Sequence, residues 1–251
     1  ALLALLLSAS AYAFEDAPLA IASAQYLQLI RDGRDAAGQP AAALLQKAEQ
    51  QARQKNWTDA IASQETAIAA GGDQAANWLN LSQWWQGKAE QIQDDDEVRK
   101  RAQDRAQQSV WNAYQAARIP YERARALFRL GESYDRAKEP KKALAAFREG
   151  LELEDNPRIA KRYQKLADTN AFQIKGVDVE SDSAIPKFCL RFSDDLAKDR
   201  QIHFEDYLVI QPSIQPVVSA QEQRLCVEGV RHGQSYAITA RAGIPSATGE
   251  K

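Results

Sequence analysis

The chain has 251 residues, of which 45% are apolar and 26% charged, with a formal net charge of -2. That length has room for about two domains. A near-neutral balance offers no electrostatic case for a nucleic-acid partner.

The sequence contains no methionine, not even at its first position. Residues 1–7 form an apolar run too short to span a bilayer. Small residues and Ala11-Tyr12-Ala13, an A-x-A cleavage pattern, come after it. Residues 1–13 are therefore expected to be the end of a secretory signal peptide, and the mature chain is expected to start near Phe14. The competing reading, a short buried helix, lacks basic or amphipathic flanks. No cysteine follows the cleavage point to carry a lipid, and no later apolar run is long enough for a transmembrane segment. The expected product is exported, soluble and periplasmic.

Residues 14–171 read as helical throughout. The stretch 18–30 is amphipathic, ends at Asp32-Gly33, and predicts a leading helix that covers one end of a helical array. A first helix pair begins near Ala41, with Leu44, Ala48 and Gln51 on its opening face. Ala60, Ile61, Gln64, Ala67 and Ile68 mark its second helix, which ends at Gly71-Gly72 as a glycine C-cap would. A second pair opens near Ala75, with Trp78, Leu81, Ser82 and Trp85 on one face. Its return helix, carrying Ala106, Val110, Ala113 and Tyr114, is expected about a dozen residues late, behind an extra segment at 86–97. Asp94-Asp95-Asp96 in that segment reads as a solvated helix start favoured by the helix dipole, rather than a cation site.

The third pair, residues 124–157, shows the pattern most clearly. Leu127, Leu130, Gly131 and Tyr134 fall at i, i+3, i+4 and i+7 of one helix. Glu139-Pro140 interrupts it, because proline has no N–H and clashes with the preceding turn. Ala143, Phe147 and Leu151 share a face of the next helix, and Asn156-Pro157 ends the unit. This helix–turn–helix of about 34 residues resembles a tetratricopeptide (TPR) repeat. The resemblance implies a scaffold with a concave protein-binding surface and carries no chemistry of its own. Residues 158–171 predict a closing helix, with Ile159, Tyr163 and Leu166 on its apolar face. The tryptophans at 57, 78 and 85 read as packing between helices rather than as a ligand site.

The period changes at Phe172. Alternating stretches at 172–179, 186–192, 206–210, 214–218, 224–227 and 235–240 predict six short strands separated by turn residues, hence a small antiparallel sandwich over 172–251. Cys189 and Cys226, the only cysteines, sit inside two of these strands. In an exported chain they read as one disulfide rather than two buried thiols. His203 and His232 fall in loops without metal-ligand spacing. No nucleophile–base pair, carboxylate dyad or phosphate loop stands out, so neither an enzyme nor a cofactor is expected.

The β half resembles the first macroglobulin-like domain of bacterial alpha-2-macroglobulins. The residues that carry the likeness are 186–193 (PKFCLRFS) with Leu196, 225–230 (LCVEGV) with His232-Gly233, then Tyr236, 241–245 (RAGIP) and Gly249-Glu250. Some members of that family resemble this chain in carrying helical repeats ahead of the first sandwich domain. The likeness implies that the sandwich is incomplete, its last strand lying further on in a much longer polypeptide. It also implies a protease trap, an endopeptidase inhibitor whose bait segment and Cys-x-Glu-Gln thioester motif lie downstream. Neither cysteine here is followed by Glu-Gln at the required spacing, so no trapping residue carries over. The expected partners are proteases, met through the downstream part, and an envelope or cell-wall protein on the TPR surface. The alternative is a stand-alone periplasmic TPR adaptor.

Overall fold

A computed structural model describes residues 14–35 and 38–247. The expected leader, 1–13, and Gly249-Glu250 lie outside the described residues. The chain divides into two compact units, Ala1–Ala167 and Asp168–Lys251.

Eight α-helices occur among the described residues: α1 (Ala17–Gly33), α2 (Ala41–Arg53), α3 (Trp57–Ala69), α4 (Ala75–Gln91), α5 (Asp96–Ala116), α6 (Pro120–Arg136), α7 (Pro140–Leu153) and α8 (Pro157–Asn170). Helices α2 and α3, α4 and α5, and α6 and α7 pack as three successive pairs. The turns inside the first and third pairs match closely. Lys55 and Lys138 both take positive φ, and the following Asn56 and Glu139 N–H groups donate back to the Gln51 and Tyr134 carbonyls. Each is a left-handed C-cap that closes the last helical carbonyls. Pro140 then opens α7 instead of merely ending α6, because its missing N–H is unneeded in a first turn.

The second pair departs from expectation. There is no inserted segment: the extra residues lengthen α4 and α5 to 17 and 21 residues, joined by a four-residue connection at 92–95. Asp95 is the N-cap of α5 and accepts the Val98 N–H at 2.9 Å, so the acidic run stands at the helix start, where the sequence placed it.

The leading helix is the larger surprise. Rather than covering the end of the array, α1 packs along α5 and α3. Its buried stripe, Leu19, Ser23, Tyr26 and Ile30, runs down the groove between them, and Asn112 of α5 donates to the Ser23 carbonyl. At the other end α8 buries Ile159 and reaches α6 through charge. Glu132 is buried and receives Arg158 and Arg162, while Arg162 also holds Asp135 at 2.7 Å.

The packing between α6 and α7 is reciprocal. A Cβ built on Gly131 would lie 2.4 Å from two ring carbons of Phe147, and one on Gly150 would lie 2.6 Å from Phe128. Each helix thus seats a phenylalanine of the other in a notch where no side chain exists.

Past the end of α8, the described residues of the second unit form six strands and one 3-10 turn, Phe204–Tyr207. Strands β1 (Ile174–Glu180), β2 (Lys187–Phe192), β4 (Val217–Gln221) and β5 (Arg224–Glu228) form an antiparallel sheet in the order β1-β2-β5-β4. Strands β3 (Leu208–Gln211) and β6 (Ala237–Ala240) form a second, two-stranded sheet. Leu190, Phe192 and Leu225 meet Phe204, Ile244, Tyr207, Leu208 and Ala240 in the core of this unit. Strand β4 starts three residues later than expected, because Pro212 and Pro216 have no N–H for a ladder. Likewise Asp206 and Tyr207, expected in a strand, belong to the 3-10 turn. The β2–β5 register sets Cys189 opposite Cys226, and the two are disulfide-bonded.

Candidate functional site

The sequence-predicted packing residues of the array fall where two helices meet. Trp78, Leu81, Ala106, Leu127, Leu130, Tyr134, Ala143 and Phe147 are buried, and Gly131 provides the notch for Phe147. Trp85 is different. It is only half-buried, and the neighbouring Trp84, passed over in the sequence, is the buried one. Trp85 points instead to a cleft of about 500 Å³ lined by residues of α1, α3, α4 and α5.

That cleft is built on a chain of hydrogen bonds. The Trp85 indole N–H donates to the Tyr26 hydroxyl at 2.7 Å, and Tyr26 donates to Glu65 at 2.6 Å. Arg34, the C-cap of α1, donates through Nε to the other Glu65 oxygen at 2.9 Å and pairs with it through a second guanidinium nitrogen. Burial, with the adjacent Glu65 carboxylate, drives the Tyr26 hydroxyl well above its ordinary pKa, so it stays a neutral donor. Arg105 lies over the Tyr26 ring at 4.2 Å, and Lys88 over the Trp85 ring at 5.2 Å. Neither cation has a carboxylate within ion-pair distance among the described residues. Ile30, Ile61 and Ala62 supply apolar wall. This arrangement offers positive charge and the half-buried Trp85 to a ligand, with Tyr26 buried beneath them. It contains a donor chain that ends on an already paired carboxylate, which suits binding.

A second cluster lies where the described chain enters the array. The Phe14 ring sits 6.1 Å from Trp111, 6.5 Å from Tyr114 and 5.9 Å from Tyr134. Next to it Asp16 caps α1, accepting the Leu19 N–H at 3.0 Å and the Tyr134 hydroxyl at 2.8 Å, with Lys142 at 3.0 Å. Burial works to raise the Asp16 pKa, but the Leu19, Lys142 and Tyr134 contacts outweigh it and hold the carboxyl below its ordinary value. Sequence reading missed Tyr26, Arg34, Glu65 and Arg105 as a group. The one available signal was the spacing of Tyr26 between Ser23 and Ile30 on the apolar stripe of α1.

The helical unit is thus a TPR-like array, a scaffold class that binds protein partners along its helix surfaces. Residues 124–157 match the family model of the tetratricopeptide repeat, the segment α6–α7. Among solved structures, the chain is similar to a thermophilic TPR protein of Thermus thermophilus, with 22% identity, 61% of this chain and 80% of that chain covered, and a TM-score of 0.44. It is also similar to the Arabidopsis OM64 TPR domain, with 19% identity, 52% and 96% covered, and a TM-score of 0.41. A third is the first TPR of Spaghetti (RPAP3) bound to an HSP90 peptide, with 18% identity, 54% and 94% covered, and a TM-score of 0.41. Comparison with curated proteins finds no match.

Proposed function

We propose that this chain is the docking and scaffold portion of an exported, bacterial alpha-2-macroglobulin-like protease inhibitor. The array holds an envelope or cell-wall partner, and the β unit is one module in a series of sandwich domains. The observation that carries the docking role is the cleft in which Lys88 and Arg105, with no carboxylate in ion-pair distance among the described residues, stand beside Trp85 and Tyr26. The ordered motifs at 186–193, 225–230 and 241–245 support the inhibitor role, as does an array ahead of a small antiparallel β unit. A periplasmic adaptor is the second reading, favoured by the family match falling on the array alone.

The inhibitor role is tested with the full-length protein and a general endopeptidase. A trap is cut once and then shields large protein substrates from the enzyme, while small peptide substrates are still cleaved. Unchanged digestion of large substrates rejects the inhibitor and leaves the adaptor. The docking role is tested by the double charge reversal Lys88→Glu with Arg105→Glu. This variant is expected to keep its helical signal and to lose the partner that the wild-type chain retains from an envelope extract.

A further inference from the structure

Phe14 is the residue at which the sequence pattern Ala11-Tyr12-Ala13 places the cut. It is also 9% exposed, with its ring enclosed by Trp111, Tyr114 and Tyr134. An aromatic residue beside an export cleavage point has no reason of its own to be part of a folded core. Its nitrogen is equally well placed. It donates to the Tyr114 hydroxyl at 3.0 Å and also faces the Glu149 carboxylate. Tyr114 accepts a second hydrogen bond from Arg123 at 2.6 Å and donates to Glu149 at 3.3 Å, so its hydroxyl is fully used. Glu149 is a largely buried carboxylate, paired with Arg123 only at 3.9 Å.

We propose that Phe14 is the N-terminus of the working protein, freed by cleavage after Ala13, and that its α-ammonium docks on Glu149 and Tyr114 in this pocket. The cut is a hydrolysis by the leader peptidase of the export machinery. Water breaks the Ala13–Phe14 amide, leaving a carboxylate on Ala13 and, after protonation, an ammonium on Phe14. An amide at Phe14 brings one hydrogen and no charge to the pocket. The ammonium brings three hydrogens and a second positive charge to the Glu149 carboxylate, beside the long pair with Arg123. Its other charged neighbours are accounted for. Asp16 is held by Leu19, Tyr134 and Lys142, Lys142 also pairs with Glu139, and Glu152 acts on Glu149 as a like charge. Docking links processing to folding. The leading segment enters the groove between α3 and α5 with Phe14 as its anchor.

The inference rests on the export reading, and the test separates the two. The full chain is secreted from its own leader and its intact mass read. A mature mass starting at Phe14 is expected; a mass starting elsewhere overturns the cleavage. Docking is read on a chain freed at Phe14 by a site-specific protease that leaves no added residue, so it is tested even if export fails. The acetylation rate of the α-amine and the melting temperature are followed between about pH 6 and pH 10. The amine is expected to react slowly and to titrate above the ordinary α-amino range of about 7.7–8.0. Because the bound form is the protonated one, the added stability is complete below that range. It is lost as pH rises through the raised value. An N-acetylated chain is expected to melt lower at pH 7 and to lack this dependence. Glu149→Gln removes the upward shift. A free-amine chain that reacts like an unprotected N-terminus, or an acetylated chain with an unchanged melting curve, overturns the docking.

Discussion

Replacing Gly131 by alanine is expected to destabilise the array although alanine is the better helix former. In a helix interior the substitution gains about 1 kcal/mol of propensity. Against this, the new Cβ would stand 2.4 Å from Cδ1 and Cε1 of Phe147. That is about 1 Å or more inside the ordinary carbon–carbon separation of about 3.5–4.0 Å. Phe147 is fully buried, and the contact is with ring carbons, so the neighbour cannot simply swing away. Overpacking of a tight core costs about 1–3 kcal/mol, and a contact this short belongs at the upper end. The net expectation is a loss of about 1–2 kcal/mol, or a melting temperature lower by roughly 2–8 °C for a unit of this size. Far-UV circular dichroism during urea unfolding measures it. Gly33→Ala is the control, because nothing lies within 4 Å of a Cβ at Gly33. It should leave stability unchanged or slightly raised. Phe147→Leu in the Gly131→Ala background should recover part of the loss, giving a coupling energy in a double-mutant cycle. Equal or greater stability for Gly131→Ala would refute the interlocked seating of α6 on α7.

Other perturbations probe the remaining contacts. Reducing the bridge between Cys189 and Cys226, which are 37 residues apart, is expected to destabilise the β unit by about 4 kcal/mol on the chain-entropy estimate. Thiol labelling of the unreduced, unfolded chain should find no free thiol, and two would contradict the bridge. Asp16→Ala removes the cap of α1 and the acceptor of the buried Tyr134 hydroxyl, so a loss of about 2–3 kcal/mol is expected in urea unfolding. Since folding lowers the Asp16 pKa, its contribution is present above the ordinary value of 3.8 and lost as acid titrates the folded carboxylate. The wild-type and Asp16→Ala stabilities should therefore converge in strong acid. Tyr26→Phe leaves the Trp85 N–H without its acceptor and Glu65 without one donor. A loss of about 1–3 kcal/mol is expected. A red shift of tryptophan emission should accompany it if Trp85 loosens.

Local pattern was enough to reveal much of this protein. The offsets of Leu127, Leu130, Gly131 and Tyr134 fixed a helix face, because a 3.6-residue period is set by the backbone alone. Glu139-Pro140 marked a turn, Gly71-Gly72 a helix end, and the switch to alternation at Phe172 a β unit with six strands. These features depend on neighbours a few residues away, which a sequence displays directly. It did not display which face meets which. Trp84 and Trp85 are adjacent and equally apolar, and only the path of α1 decides that one is core and the other lines a cleft. The placing of β5 between β2 and β4 likewise depends on residues tens of positions apart. The position of α1 in the groove of α3 and α5 was hidden for the same reason. Tyr26 meets Glu65 across 39 residues, and Phe14 meets Tyr114 across 100. Burial of a shared apolar face is non-directional, so periodicity shows that α1 must pack somewhere. The choice of groove comes from side chains that the fold alone brings together, Glu65 for the tyrosine and the Trp111–Tyr114–Tyr134 box for the phenylalanine.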